Sequence, residues 1–145
     1  MIKKKILAIV YRIKNHNEQF LALLENSSEI DQSVGYYVVT GGVEGNEGLL
    51  DAVKREIMEE TGIENIVNIL DLNKIYEYKH PAEGDYLCQE SCFAVEVDDE
   101  VKHLSVEHTG YKWLPRKEFS DTIFWYTNKA DLDELLNKFI KHMSR

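Results

Sequence analysis

GGVEGNEGLLDAVKREIMEETGI, residues 41–63, is the stretch that decides the fold. Glycines at Gly41, Gly42 and Gly45 permit tight or positive-φ turns and suit a loop that approaches a ligand closely. Asn46 fits an N-cap. Leu49, Leu50, Val53 and Ile57 recur at helical spacing, an apolar stripe expected to bury against a sheet. Gly62 follows the last periodic residue as a C′ stop. A helix is therefore predicted from roughly Glu47 to Thr61.

On that helix Glu56, Glu59 and Glu60 stand at i, i+3 and i+4, so their carboxylates share one face. Each like-charged i,i+4 pair costs about 0.2–0.5 kcal/mol on a helix surface. Arg55, four residues before Glu59, offsets only part of this, because that order of the pair is the weaker one. A hard divalent cation turns the same repulsion into a binding site: Mg²⁺ prefers oxygen ligands and is usually held by a few carboxylates together with substrate phosphates. An acidic run of this kind, taken alone, is ordinarily a solvated helix face, and composition does not separate the two readings.

The remaining composition narrows the classes. A length of 145 residues with 43% apolar content fits one domain, residues 1–145. No stretch approaches the roughly 20 apolar residues of a membrane span. The basic, then apolar start is interrupted by Tyr11-Arg12-Ile13-Lys14 without a small-residue cleavage site, so it reads as a strand of a cytoplasmic protein with no membrane partner. Cys88 and Cys92 are too few for a disulfide framework and, about 13 Å apart on one strand face, are expected to be reduced structural thiols. The histidines are scattered and do not form a zinc pattern. A net charge of −9 argues against a nucleic-acid polymer as partner, since such surfaces are normally basic, but not against a phosphorylated small molecule.

Ile6–Ile13 and Gln19–Leu24 flank a polar break and predict a hairpin, followed by a polar loop over residues 25–33. Tyr36–Val39 reads as a short strand feeding the glycine loop. After the helix, Ile66–Tyr78 and Cys88–Val97 read as a strand pair around a polar loop at His80–Asp85, and Tyr111–Leu114 as one more strand. Leu132, Leu135, Leu136, Phe139, Ile140 and Met143 keep helical spacing and predict an amphipathic terminal helix. Strands on both sides of one helix, with a second helix closing the chain, imply an α/β fold with a mixed sheet between helices.

The glycine-to-Ile63 spacing matches all the defined positions of the Nudix box: Gly41, Glu47, Arg55, Glu56, Ile57, Glu59, Glu60, Gly62 and Ile63. The chain thus resembles Nudix hydrolases, which cleave a nucleoside diphosphate linked to another group, and the resemblance implies a Nudix α/β/α sandwich. Val39-Thr40-Gly41 and the frame Glu107-His108 with Tyr111-Lys112-Trp113-Leu114 look like the branch containing dATP pyrophosphohydrolase and dihydroneopterin triphosphate pyrophosphatase. Carried over by position, Glu56, Glu59 and Glu60 match metal ligands. Thr40 matches a position whose backbone lies beside metal and substrate. Glu107 matches an acid outside the box that completes metal binding and helps activate water; either Glu59 or Glu107 takes the proton. Glu47 and Arg55 match residues that orient the loop and the catalytic acids.

The implied activity is Mg²⁺- or Mn²⁺-dependent hydrolysis of a nucleoside- or pterin-triphosphate-like substrate, releasing pyrophosphate and a monophosphate, by a monomer or homodimer. Nucleotide sugars and dinucleoside polyphosphates are alternative substrates. A non-catalytic nucleotide sensor is a further alternative, disfavoured by the intact box and by a chain that ends about where the core does. For a base or pterin ring, Tyr36, Tyr37, Tyr76, Tyr78, Phe124, Trp125 and Tyr126 offer stacking surfaces. Trp125, in an irregular stretch before the last helix, is the preferred one. Leu24-Glu25-Asn26 departs from the branch, where basic residues are expected.

Overall fold

The computed structural model describes residues 2–25, 35–79, 86–125 and 129–143. The elements run β1 (Ile2–Lys14), β2 (Asn17–Glu25), β3 (Tyr36–Tyr37), β4 (Val39–Gly42), α1 (Leu49–Thr61), β5 (Ile66–Lys79), β6 (Leu87–Val97), β7 (His108–Leu114), α2 (Arg116–Thr122) and α3 (Lys129–Met143). The expected loop at residues 25–33 lies outside the described residues except for Glu25, as does the one at His80–Asp85, and Tyr126 lies outside them too.

β1 and β2 form the predicted hairpin, closed by Asn15 and His16 at φ 52° and 66°. Positive φ at both turn positions matches the right-handed twist of the flanking strands. The two strands pair only from Tyr11↔Phe20 to Lys14↔Asn17, and segment 36–42 enters where they part. Its first half adds to β2 as β3 and its second half to β1 as β4, so the single strand expected at Tyr36–Val39 is two. That crossing carries Thr40 and Gly41 to α1. On its other edge β1 runs parallel to β6, which pairs antiparallel with β5. The result is the expected mixed sheet, seven-stranded among the described residues, with β7 along β2.

Alternation along β1 separates two apolar layers. Ile6, Ala8 and Val10 face α1 with Val53, Ile57, Phe93 and Val95. Leu7, Ile9 and Tyr11 face the other side with Phe119, Leu132, Leu135 and Phe139 from α2 and α3. The anticipated terminal helix thus buries Leu132, Leu135, Leu136 and Phe139 of its stripe, while Ile140 is half-buried and Met143 exposed. On α1 the buried positions are Ala52, Val53, Ile57, Glu60 and Thr61, whereas Leu49 and Leu50 lie exposed at the first turn. Both thiols are free and buried, and burial pushes Cys92 up to about 12. No described helix is long and apolar enough to cross a membrane.

Candidate active site

The loop into α1 is shaped by its charges. The chain turns at Gly45 (φ 50°), and the carboxylate of Glu47 accepts the Glu44 amide at 3.1 Å. The helix consequently starts later than Asn46 would have it: Gly48 is the N-cap, with the Ala52 amide bonded to the Gly48 carbonyl at 3.0 Å. At the other end Gly62 caps at φ 74° and its amide bonds to Met58 O at 2.9 Å. A side chain there is excluded twice, by φ and by His103, whose Nδ1 lies 2.7 Å from where a Cβ would stand.

Arg55 organises the acids. Its Nε and Nη2 donate to the two oxygens of Glu47 at 2.9 and 3.0 Å, the bidentate geometry that a guanidinium suits. Nη2 also reaches Gly42 O at 2.7 Å, tying helix to loop. Nη1 donates to Glu56 at 2.7 Å and to Glu59 at 3.3 Å. These bonds hold Glu47 below the usual carboxylate range. Glu56 is shifted the other way, because burial raises it more than Arg55 lowers it. Gly41 leaves room for this: a Cβ at that position would sit 2.0 Å from Glu56 Cδ.

Glu60 faces a different neighbour. It is 5% exposed and its Oε1 lies 2.7 Å from Nε2 of His108, at the start of β7. Burial raises its carboxyl to about 7 against the pull of His108. Its other oxygen, Oε2, is buried and has no hydrogen-bond partner among the described residues.

The connection from β6 to β7 is fastened onto the end of α1. The Asp99 carboxylate accepts the Glu64 and Asn65 amides at 3.0 and 3.3 Å, Lys102 N bonds to Thr61 O at 2.9 Å and Ser105 N to Glu60 O at 3.2 Å. Farther along, Glu100 accepts from Arg12 and from Trp113 Nε1, each at 2.7 Å, while the Arg12 guanidinium lies 4.1 Å from the Trp113 ring centroid. This fastening presents Glu107. One ligand atom each of Glu60, Glu107 and His108 lies within 4.8 Å of the others.

The structure therefore gathers Glu47, Arg55, Glu56 and Glu59 in one network, and Glu107 beside Glu60. Thr40, half-buried and paired with Leu7, precedes the glycine that packs on Glu56. Trp125 is 7% exposed and packs in the core between Tyr37 and Tyr76 at centroid distances of 5.6 and 6.3 Å, whereas Phe124, among the described residues of that stretch, is 64% exposed. Two neighbours escaped the sequence reading. His108 was visible only as part of the Glu107-His108 frame. Glu25, seen as a departure from basic character, pairs across the β2–β7 irregularity with His108. Burial raises its carboxyl, His108 opposes the rise and Glu107 adds to it.

The NUDIX domain family model matches residues 3–139. The chain belongs to the Nudix family. That membership makes it a Nudix pyrophosphohydrolase, and Nudix hydrolases generally use divalent metals. A candidate NUDIX hydrolase of Listeria monocytogenes is similar at 23% identity and TM-score 0.75, covering 95% of this chain and 94% of that one. The Ap4A hydrolase of C. elegans, in a binary complex, is similar at 21% identity and TM-score 0.73, with 99% and 98% covered. The dihydroneopterin triphosphate pyrophosphohydrolase of E. coli is similar at 22% identity and TM-score 0.69, with 94% and 99% covered. No curated protein matches the chain.

The donor set fits a hard cation in this Nudix site. Its acids are carboxylates, and the buried, unpartnered Oε2 of Glu60 is an acceptor whose desolvation is left uncompensated by protein donors.

Proposed function

We propose that this Nudix enzyme hydrolyses a diphosphate bond in a nucleoside- or pterin-triphosphate-like substrate, releasing pyrophosphate and a monophosphate. Glu56, Glu59, Glu60 and Glu107 are the residues that would hold Mg²⁺ or Mn²⁺, with the Thr40 backbone beside them. The observation that carries the reading is the meeting of Glu60, from the box helix, with Glu107, from a distant loop, at one place.

Phosphoryl transfer asks a protein mainly for charge neutralisation and alignment. When bound, a divalent ion supplies both a counter-charge for the phosphate oxygens and a lowered pKa for a bound water. The chain's own residues do the rest. Arg55 and Glu47 hold the loop and the helix acids in register, as a supporting shell must. Glu59 and Glu107 are both exposed, so either carboxylate can take the proton of the attacking water, Glu59 by the oxygen that Arg55 does not engage.

Resemblance to an Ap4A hydrolase supports a second substrate class, dinucleoside polyphosphates. The test is a panel of nucleoside triphosphates, dihydroneopterin triphosphate, Ap4A and nucleotide sugars with Mg²⁺, with pyrophosphate and orthophosphate detected separately. The proposal expects pyrophosphate from a triphosphate. Turnover confined to Ap4A would replace it with the second reading, and binding without turnover of any substrate would remove catalysis.

A further inference from the structure

We infer that His108 is a positioning residue for metal binding: by engaging Oε1 of Glu60, it leaves Oε2 as the oxygen that an ion takes. The inference rests on the metal-binding reading above and goes beyond it by giving the two oxygens of one carboxylate different partners.

The side chains of His108 and Glu60 are 5% and 6% exposed, and their 2.7 Å contact is a short hydrogen bond. Rotation of a buried carboxylate is limited by what it touches, and here one oxygen is occupied while the other has no partner among the described residues. Backbone bonds reinforce the contact. Ser105 N bonds to Glu60 O at 3.2 Å and His108 N to Ser105 O at 3.1 Å, so the turn bearing the imidazole is fastened to the residue that the imidazole orients. That same turn bears Glu107, so one short segment presents an acid and aims another.

Direct ligation by His108 is the competing role. Its Nε2, however, is already engaged by Glu60; Nδ1, buried and without a hydrogen-bond partner among the described residues, is the nitrogen left to a ligating role, and a hard ion prefers the carboxylate oxygens over it. With Nε2–H donating, the carboxylate stays an acceptor on Oε1 and the imidazole stays in one tautomer.

The experiment is a Mn²⁺ titration followed by electron paramagnetic resonance at constant pH, on the parent protein and on Glu60→Gln, His108→Leu, His108→Gln and His108→Asn. The parent should bind Mn²⁺ and Glu60→Gln should lose that binding. His108→Leu should weaken it about 10–100-fold, the range for removing an outer-shell partner. His108→Gln, whose amide nitrogen reaches the place of Nε2, should recover most of the loss, and His108→Asn, with a shorter reach, should not. The Gln and Asn pair decides the matter even where the Leu variant does not fold. Electron spin echo modulation from a directly bound imidazole nitrogen in the Mn²⁺-loaded parent would overturn the inference. So would Mn²⁺ affinity within twofold of the parent in His108→Leu or His108→Asn, while Glu60→Gln has lost it. Absence of Mn²⁺ binding in the parent, or unchanged binding in Glu60→Gln, defeats instead the reading on which the inference rests.

Discussion

Replacing Gly41 by Ala tests whether the loop glycine exists to make room for a catalytic-site acid. The added Cβ would stand 2.0 Å from Glu56 Cδ, 2.3 Å from Oε1 and 2.5 Å from Cγ, so the carboxylate must swing away. All three atoms belong to a flexible side chain, and the backbone of Gly41 needs no positive φ. The fold can therefore accommodate the change by giving up the Glu56–Arg55 bond of 2.7 Å. A hydrogen bond to a charged group contributes about 1.5–3 kcal/mol. Glu56, raised by burial, recovers hydration as it leaves, which offsets part of that. A net loss of about 1–2 kcal/mol follows, equivalent to a melting temperature lower by roughly 2–8 °C at this chain length. Activity should fall much further, by about 10²-fold or more, if Glu56 is one of the acids that hold the ion as proposed, because misplacing a group that the reaction needs is that costly. Circular-dichroism melting without metal and Mg²⁺-dependent turnover measure the two effects. Gly48→Ala is the control: its Cβ finds no atom beyond its chain neighbours nearer than 3.9 Å, so turnover should stay near the parent value, with a stability loss of no more than about 1 kcal/mol for the change at the N-cap. Parent-like turnover in Gly41→Ala would refute the reasoning. So would a collapse of the fold, which would mean that the backbone, not Glu56, yields.

Three other outcomes are expected. Mg²⁺ or Mn²⁺ should raise the melting temperature, by the equivalent of about 2.7 kcal/mol at a hundredfold excess over Kd, and turnover should stop in excess EDTA; full activity with EDTA would contradict the metal assignment. Without metal, stability should fall as pH rises between 4.5 and about 7, because folded Glu60 keeps its proton longer than the unfolded chain does. Glu60→Gln should lack this component, and parallel pH–melting profiles for the two proteins would exclude it. Glu107→Gln should lower kcat by about 10² or more while shifting stability by no more than about 0.5 kcal/mol; unchanged kcat at saturating Mg²⁺ would return Glu107 to the surface.

Local signals made α1, its αL stop at Gly62, the β1–β2 hairpin and α3 legible in the sequence, since each is written in periodicity or turn chemistry within a few residues. The helix start was misplaced because Glu47, a good first-turn residue, is engaged by Arg55 eight residues on and stays outside the helix. Helix α2 was missed: seven residues with one buried side chain, Phe119, present no period to read. The crossing of β3 into β4 depends on where β1 and β2 part, which is a property of the sheet. In the site, the box acids could be named from spacing and resemblance. The division of labour among them could not, because the Glu60–His108 contact joins residues 48 apart. Trp125 is the preferred stacking ring by its place in an irregular stretch, but which ring of that stretch faces out is a property of the packed fold: Phe124 takes the solvent and Trp125 the core.

The most direct test of the central claim is hydrolysis of an accepted triphosphate in ¹⁸O-labelled water with Mg²⁺, with products resolved by mass. The account predicts pyrophosphate and a monophosphate as primary products, with one solvent oxygen in one of the two marking the inner phosphorus attacked. Orthophosphate and a diphosphate as the sole primary products, with the label in orthophosphate, would show attack at the terminal phosphorus and contradict it.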